Sequence, residues 1–232
     1  MRKRTKVLTG IGIGLVVLVV AVLVATRLYG NWVNDNADEV PTLSSTSPSS
    51  GTTDGTETDE AEPAGLDGDW TVGEGSYAGY RVDEVLNGQD VTVTGRTEDV
   101  TGSATIADGA LTTGTIEVDL TTVATDETSR DAYFRSEALN TSEFPTATFE
   151  LTGPVEVVAD GSDLELVGDL TLHGVTQQVT VTAQAGPSGD GLQVVGSAPI
   201  TFADFDVQAP DLGFVVVEDA GSIEFSLELV AG

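Results

Sequence analysis

The stretch that decides the fold runs from Leu164 to Val175: Leu-Glu-Leu-Val-Gly-Asp-Leu-Thr-Leu-His-Gly-Val. Leu164, Leu166, Leu170 and Leu172 share one parity, with Gly168 among them, while Glu165, Asp169, Thr171 and His173 fall on the other. Side chains of an extended backbone alternate between two faces, so this is a strand with one dry side and one wet side.

The same period recurs outward in both directions. Upstream, Ile116, Val118 and Leu120 alternate with Thr115, Glu117 and Asp119, and Ala147, Phe149 and Leu151 alternate with Thr146, Thr148 and Glu150. Downstream, Val179, Val181 and Ala183 keep one parity. Leu192, Val194, Gly196, Ala198, Ile200 and Phe202 keep another, and Ile223, Phe225, Leu227 and Leu229 follow. Asp108-Gly109, Asp160-Gly161, Gly186-Pro187 and the run from Ser188 to Gly191 punctuate them as turns. Many short strands with one buried face predict an all-β antiparallel barrel or sandwich. Asp126 to Asn140 breaks the alternation. With Phe134 and Ala138 four apart and Asp126 as N-cap, it reads as one short helix.

The N-terminal end has another character. Arg2, Lys3, Arg4 and Lys6 precede an apolar run from Val7 to Ala25, long enough to span a hydrocarbon core of about 30 Å at about 1.5 Å per residue. Residues 1–30 are expected to form a cytoplasmic basic tip and a single transmembrane helix. The rest of the chain then lies outside the cytoplasm; secretion after signal cleavage is the alternative. Residues 31–67, rich in Ser, Thr, Asp, Glu, Gly and Pro, are expected to be a disordered acidic linker. Residues 68–232 are the folded domain.

Composition narrows the function. The chain has no cysteine, one histidine and a formal charge of −29, so disulfides and thiolate metal sites are excluded. From Asp69 onward there are 29 acidic residues against four arginines, a surface that repels nucleic acid. Asp160-Gly-Ser-Asp163 and Asp204-Phe-Asp206 cluster acids without a calcium-loop spacing, so neither a metal nor a cofactor is expected. His173 has no second histidine, cysteine or Gly-x-Ser-x-Gly element to act with. A structural His173 and a protein that is not an enzyme are the expectations. Among the few cations, Arg130 and Arg135 lie on the predicted helix, where they either pair with acids or meet a headgroup.

The apolar parity carries the rest. Ile116, Val118 and Leu120, then Phe144, Phe149 and Leu151, then Leu166, Leu170 and Leu172 are predicted to point inward, as are Val194, Ile200, Phe202 and Phe225 and the helix residue Phe134. Small residues (Gly168, Gly196, Ala147, Ala183, Ala198) interleave with them, a pattern able to line a slot for a chain. By pattern alone, a barrel of about eight strands can equally be filled by its own side chains. In that case this is a surface-displayed structural or interaction domain.

Five pieces in order, Ser129-Arg130-Asp131, Phe134-Arg135-Ser136, Glu143-Phe-Pro-Thr-Ala-Thr-Phe149, Gly168 to Val175 and Ile200-Thr-Phe-Ala-Asp-Phe205, resemble the YceI-like family. The resemblance covers roughly Asp69 to Val230. It departs at Gly75-Ser76-Tyr77 and at Tyr133, near which family members often carry histidines. It implies a lipocalin-like barrel, exported, with an apolar cavity for polyisoprenoid chains. The expected partners are then an isoprenoid lipid of polyprenyl or quinone type and the cytoplasmic membrane. Arg130 and Arg135 become candidate headgroup contacts, and the role is that of a tethered carrier or sensor.

Overall fold

The computed structural model describes residues 24–44 and 66–232. Helical residues 24–36 form α1. The strands are β1 (Gly68–Val72), β2 (Tyr77–Leu86), β3 (Gln89–Thr97), β4 (Val100–Ala107), β5 (Ala110–Asp119), β6 (Thr146–Leu151), β7 (Val155–Glu156), β8 (Asp163–Leu172), β9 (Val175–Ser188), β10 (Gly191–Thr201) and β11 (Val215–Ala231). Between β5 and β6 lies α2 (Thr128–Tyr133), continued by a π-helical turn, Phe134–Ala138, and a 3-10 turn, Phe202–Phe205, follows β10.

All pairings are antiparallel, and they close. The sheet runs β4-β5-β6-β8-β9-β10-β11. The long β11 then pairs with two strands along its length: β2 from Val215↔Leu86 to Ser226↔Tyr77, and β1 from Leu229↔Val72 to Ala231↔Trp70. β1 and β2 therefore share one position in the ring. β3, paired with β2, and β4, paired with β1, share the next. The result is an eight-stranded lipocalin-like barrel with no free edge at its β1–β4 end. The hairpins explain the register. Asn87-Gly88, Asp108-Gly109 and His173-Gly174 each place two residues at positive φ, the geometry that matches strand twist in a two-residue loop. His173 is thus a turn residue, its Nδ1 3.2 Å from the Phe205 carbonyl oxygen.

The ends of the barrel differ. The turns at residues 108–109 and 188–191 mark one end. The other carries α2, the π turn and the 202–214 segment, and here Leu120, Val123, Leu139, Leu172, Ile200 and Phe205 pack as an apolar plug over one side.

Two expectations change. The helix cap is Glu127, whose side chain accepts from Ser129 N, rather than Asp126, which instead pairs with Arg130. A linker without structure from residue 31 is also not what the chain shows. Residues 31–36 complete α1, and 37–44 run across the outside of the barrel. Asn34 accepts from Thr92 N at 2.8 Å and donates to the Asp90 carbonyl at 3.2 Å, so one side chain covers the free edge of β3. Asp38 N donates to Thr94 Oγ1, Arg81 donates to the Asp38 carbonyl, and Ser44 N donates to Gln193 Oε1. Beneath this strap Arg81 and Glu224 pair at 2.6 Å. The residues look like a linker because the strap binds mainly through hydrogen bonds, with Val33 its one deeply buried apolar anchor.

Among the described residues no helix is long and apolar enough to cross a membrane. Nearly all of the run from Val7 to Ala25, and residues 45–65 of the expected linker, lie outside the described residues.

Candidate functional site: an apolar cavity in two chambers

The interior is not filled. A cavity of about 700 Å³ opens between α2, the β2–β3 hairpin and the segment before β11. A second, almost wholly apolar chamber of about 170 Å³ lies deeper in the barrel. Ala78, Val118, Ala147 and Ile223 line both, so the two meet at a neck whose small side chains are alanines.

Most of the residues predicted to face inward do so, divided between the chambers. Val118, Leu120, Phe134, Leu172, Ile200 and Phe202 line the outer one. Ile116, Phe149, Leu151, Leu166, Leu170, Val194 and Phe225, with Val118 again, line the inner one. Phe144 lines neither. It precedes Pro145 and β6, outside the alternation, and packs edge-on against His173 with centroids 4.9 Å apart. Arg130 borders the outer chamber. Arg135 does not; its Nη1 donates to the Val123 carbonyl at 3.2 Å and pins the loop before α2.

The small residues also act differently from the slot expected. A Cβ on Gly196 would lie 2.7 Å from Phe225 Cζ, and one on Gly168 would collide with the Phe149 ring. Each glycine is a seat for a phenyl ring from the neighbouring strand. The two rings narrow the inner chamber, and the room for a chain lies nearer the mouth.

β2 and β3 are not announced by the sequence pattern. Ala78, Tyr80, Val82, Glu84 and Leu86 line the outer chamber at every second position. A glutamate and a glycine-rich start hid that alternation, although the period was there. The Tyr80 ring stacks on Phe134, centroids 5.2 Å apart. Burial pushes the Tyr80 hydroxyl above its ordinary range. Burial likewise raises the Glu84 carboxyl, opposed by Arg130, whose Nη2 stands 3.7 Å from Glu84 Oε1. Arg130 also binds Asp126. Buried Asp131 accepts from Thr125 N and Oγ1, both at 2.8 Å, and fixes the loop that delivers α2. The cavity is therefore mostly apolar, and the charged side chains in its lining are Glu84, Glu127 and Arg130, with Asp126 paired to Arg130 from outside that lining. Among the described residues no group of three or more acidic or histidine side chains is placed to hold a metal.

A model of the YceI-like domain matches residues 70–229. The chain belongs to the YceI-like family. It is 34% identical over 167 residues to a UPF0312 protein of Pseudomonas aeruginosa, covering 62% of this chain and 83% of that one. It is 38% identical over 107 residues to Protein YceI of Escherichia coli, covering 42% and 53%. Two solved structures share the fold at 19% identity. Burkholderia cenocepacia BcnA has a TM-score of 0.53 over 66% of this chain and 96% of its own. A Saccharophagus degradans domain, described as polyisoprenoid binding and implicated in plant cell wall breakdown, has a TM-score of 0.54 over 70% and 98%.

Proposed function

We propose that this YceI-like domain binds a single isoprenoid lipid, of polyprenyl or quinone type, and serves as a carrier or sensor without a chemical step of its own. The observation that carries the reading is the two-chambered apolar cavity of about 700 and 170 Å³. A branched hydrocarbon tail needs little else: apolar surface removed from water stabilises by roughly 25 cal/mol per Å², and no polar group is required along the tail. The charged side chains of the lining select the head. Arg130 is already matched by Asp126 and Glu84. A diphosphate would meet two carboxylates for one guanidinium, so an uncharged, hydrogen-bonding head suits the mouth better. The basic residues ahead of the run from Val7 to Ala25 support a single-pass anchor with the domain outside the cytoplasm.

Solvent extraction of the purified full chain followed by mass spectrometry tests the binding. One isoprenoid lipid per chain is expected. A folded protein that is empty and also fails to take up a radiolabelled prenyl alcohol refutes the proposal.

A further inference from the structure

The exposed apolar side chains are not scattered. Among the described residues, the exposed Leu, Phe, Tyr and Trp side chains are Leu28, Tyr29 and Trp32 on α1 and Leu212 and Phe214 ahead of β11, and the other large exposed apolar residues are valines such as Val158 and Val167. The leucines and aromatics form two edges. On α1, Val24, Leu28 and Trp32 recur at a spacing of four, one face of a helix. Leu28 is 64% exposed and Trp32 48%. The opposite face of α1 is seated, with Gly30 against Gln89 at the β2–β3 hairpin and Val33 buried. On the other side of the hairpin tip stand Leu212 and Phe214, 55% and 58% exposed. The Asn87 amide donates to the Phe214 carbonyl at 2.7 Å, so hairpin and loop are joined. Tyr29, Leu212 and Phe214 line the outer chamber together.

We infer that this rim docks on a lipid bilayer, so that the barrel mouth faces the membrane. Where the chain leaves the described structure argues for this occupant. Immediately before α1 stands the apolar run from Val7, and it ends inside α1 at Ala25. Tyr29 follows four residues later, about 6 Å along a helix and so within the headgroup layer where Trp and Tyr are enriched, and Trp32 stacks on it from about one turn further on. A bilayer spanned by that run meets α1 beside the opening, and the loop bearing Leu212 and Phe214 completes the contact from the far side. With a formal charge of −29 the protein cannot rely on attraction to acidic headgroups, and the rim is correspondingly apolar rather than basic. The inference rests on the proposed single-pass anchor and not on what the cavity holds.

Tryptophan quenching in vesicles of phosphatidylcholine brominated near the top of its acyl chains provides the test, with the full chain reconstituted. Trp32 is too close to the apolar run to be diagnostic, so Phe214→Trp is introduced into a Trp32→Phe, Trp70→Phe background, with Leu212→Trp as a second probe. Trp70, near the opposite end of the barrel, is the internal comparison in the Trp32→Phe protein. The expected result is loss of emission and a blue shift for Phe214→Trp and Leu212→Trp, with Trp70 unchanged. Unquenched emission at both rim positions overturns the inference, as does equal quenching of Trp70, which means a barrel lying on its side. Emission that is blue-shifted but unaffected by bromine assigns the rim to a second copy of the chain and likewise overturns it. Lipid extraction from the same samples reports separately on the cavity.

Discussion

Enlarging Ala147 closes the neck between the chambers, and its effect depends on the length of the ligand. The inner chamber measures about 170 Å³. A dry cavity of about 150 Å³ accepts one benzene, so this one accepts about one isoprene unit of five carbons. At about 0.8 kcal/mol per buried CH₂ that unit contributes at most about 4 kcal/mol. At the lower efficiency of about 0.3 kcal/mol per atom seen for larger ligands it contributes about 1.5. Ala147→Phe is therefore expected to weaken a long prenyl chain about 10- to 1000-fold, since each 1.4 kcal/mol is about tenfold. The outer chamber, about 700 Å³, holds about four units on the same scale. A two-unit prenyl alcohol should keep its affinity within about twofold. Displacement of a fluorescent probe by prenyl alcohols of graded length reads the two cases side by side. Urea unfolding checks that the overpacking cost, about 1–3 kcal/mol, leaves the barrel folded. Equal losses for short and long alcohols, or no loss for the long one, would refute the two-chamber reasoning.

Other consequences can be measured directly. Gly168→Ala should destabilise the barrel by about 1–3 kcal/mol, lowering Tm by about 2–4 °C for each kcal/mol in a domain of this size; adding Phe149→Leu should recover part of that loss, and strictly additive effects would deny the ring its seat. Glu84→Gln tests the buried carboxylate. Because burial raises the folded Glu84 above its ordinary value, the native state holds its proton more tightly than the unfolded chain. Its contribution is present below about pH 4.5 and is lost as pH rises through the folded value. The difference in urea midpoint between variant and parent should therefore grow in the variant's favour across that interval, and a flat difference would contradict it. Asn34→Ala should cost about 1–2 kcal/mol through two lost hydrogen bonds and release the Thr92 amide to hydrogen exchange, while unchanged protection there would mean that β3 does not depend on the strap.

The dry face of the later strands was legible because a period of two is a backbone property that survives any choice of apolar residue. Leu166 to Leu172 on β8 and Val194 to Phe202 along β10 and the turn after it announced themselves in this way. β2 did not, because its inward series passes through Tyr80 and Glu84, polar residues placed inside to shape the mouth. Phe144 misled for the converse reason: an aromatic next to a strand carries no parity once Pro145 resets the backbone. The glycines suggest open space in the sequence, which does not show which ring crosses from the neighbouring strand. The strap was invisible because Asn34 and Asp38 bind through hydrogen bonds, and a polar stretch that finds partners has the same composition as one that does not.

That strap changes the meaning of the acidic stretch behind it. Ser44 is fastened to Gln193, and Leu66 receives the Trp70 indole hydrogen bond, so residues 45–65 begin and end on the same body. A leash sets distance by its contour; a bight between two cleats does not. With the anchor proposed above, the stand-off from the bilayer is then set by residues 31–44, and untying them would let the barrel swing whatever the length of the stretch behind.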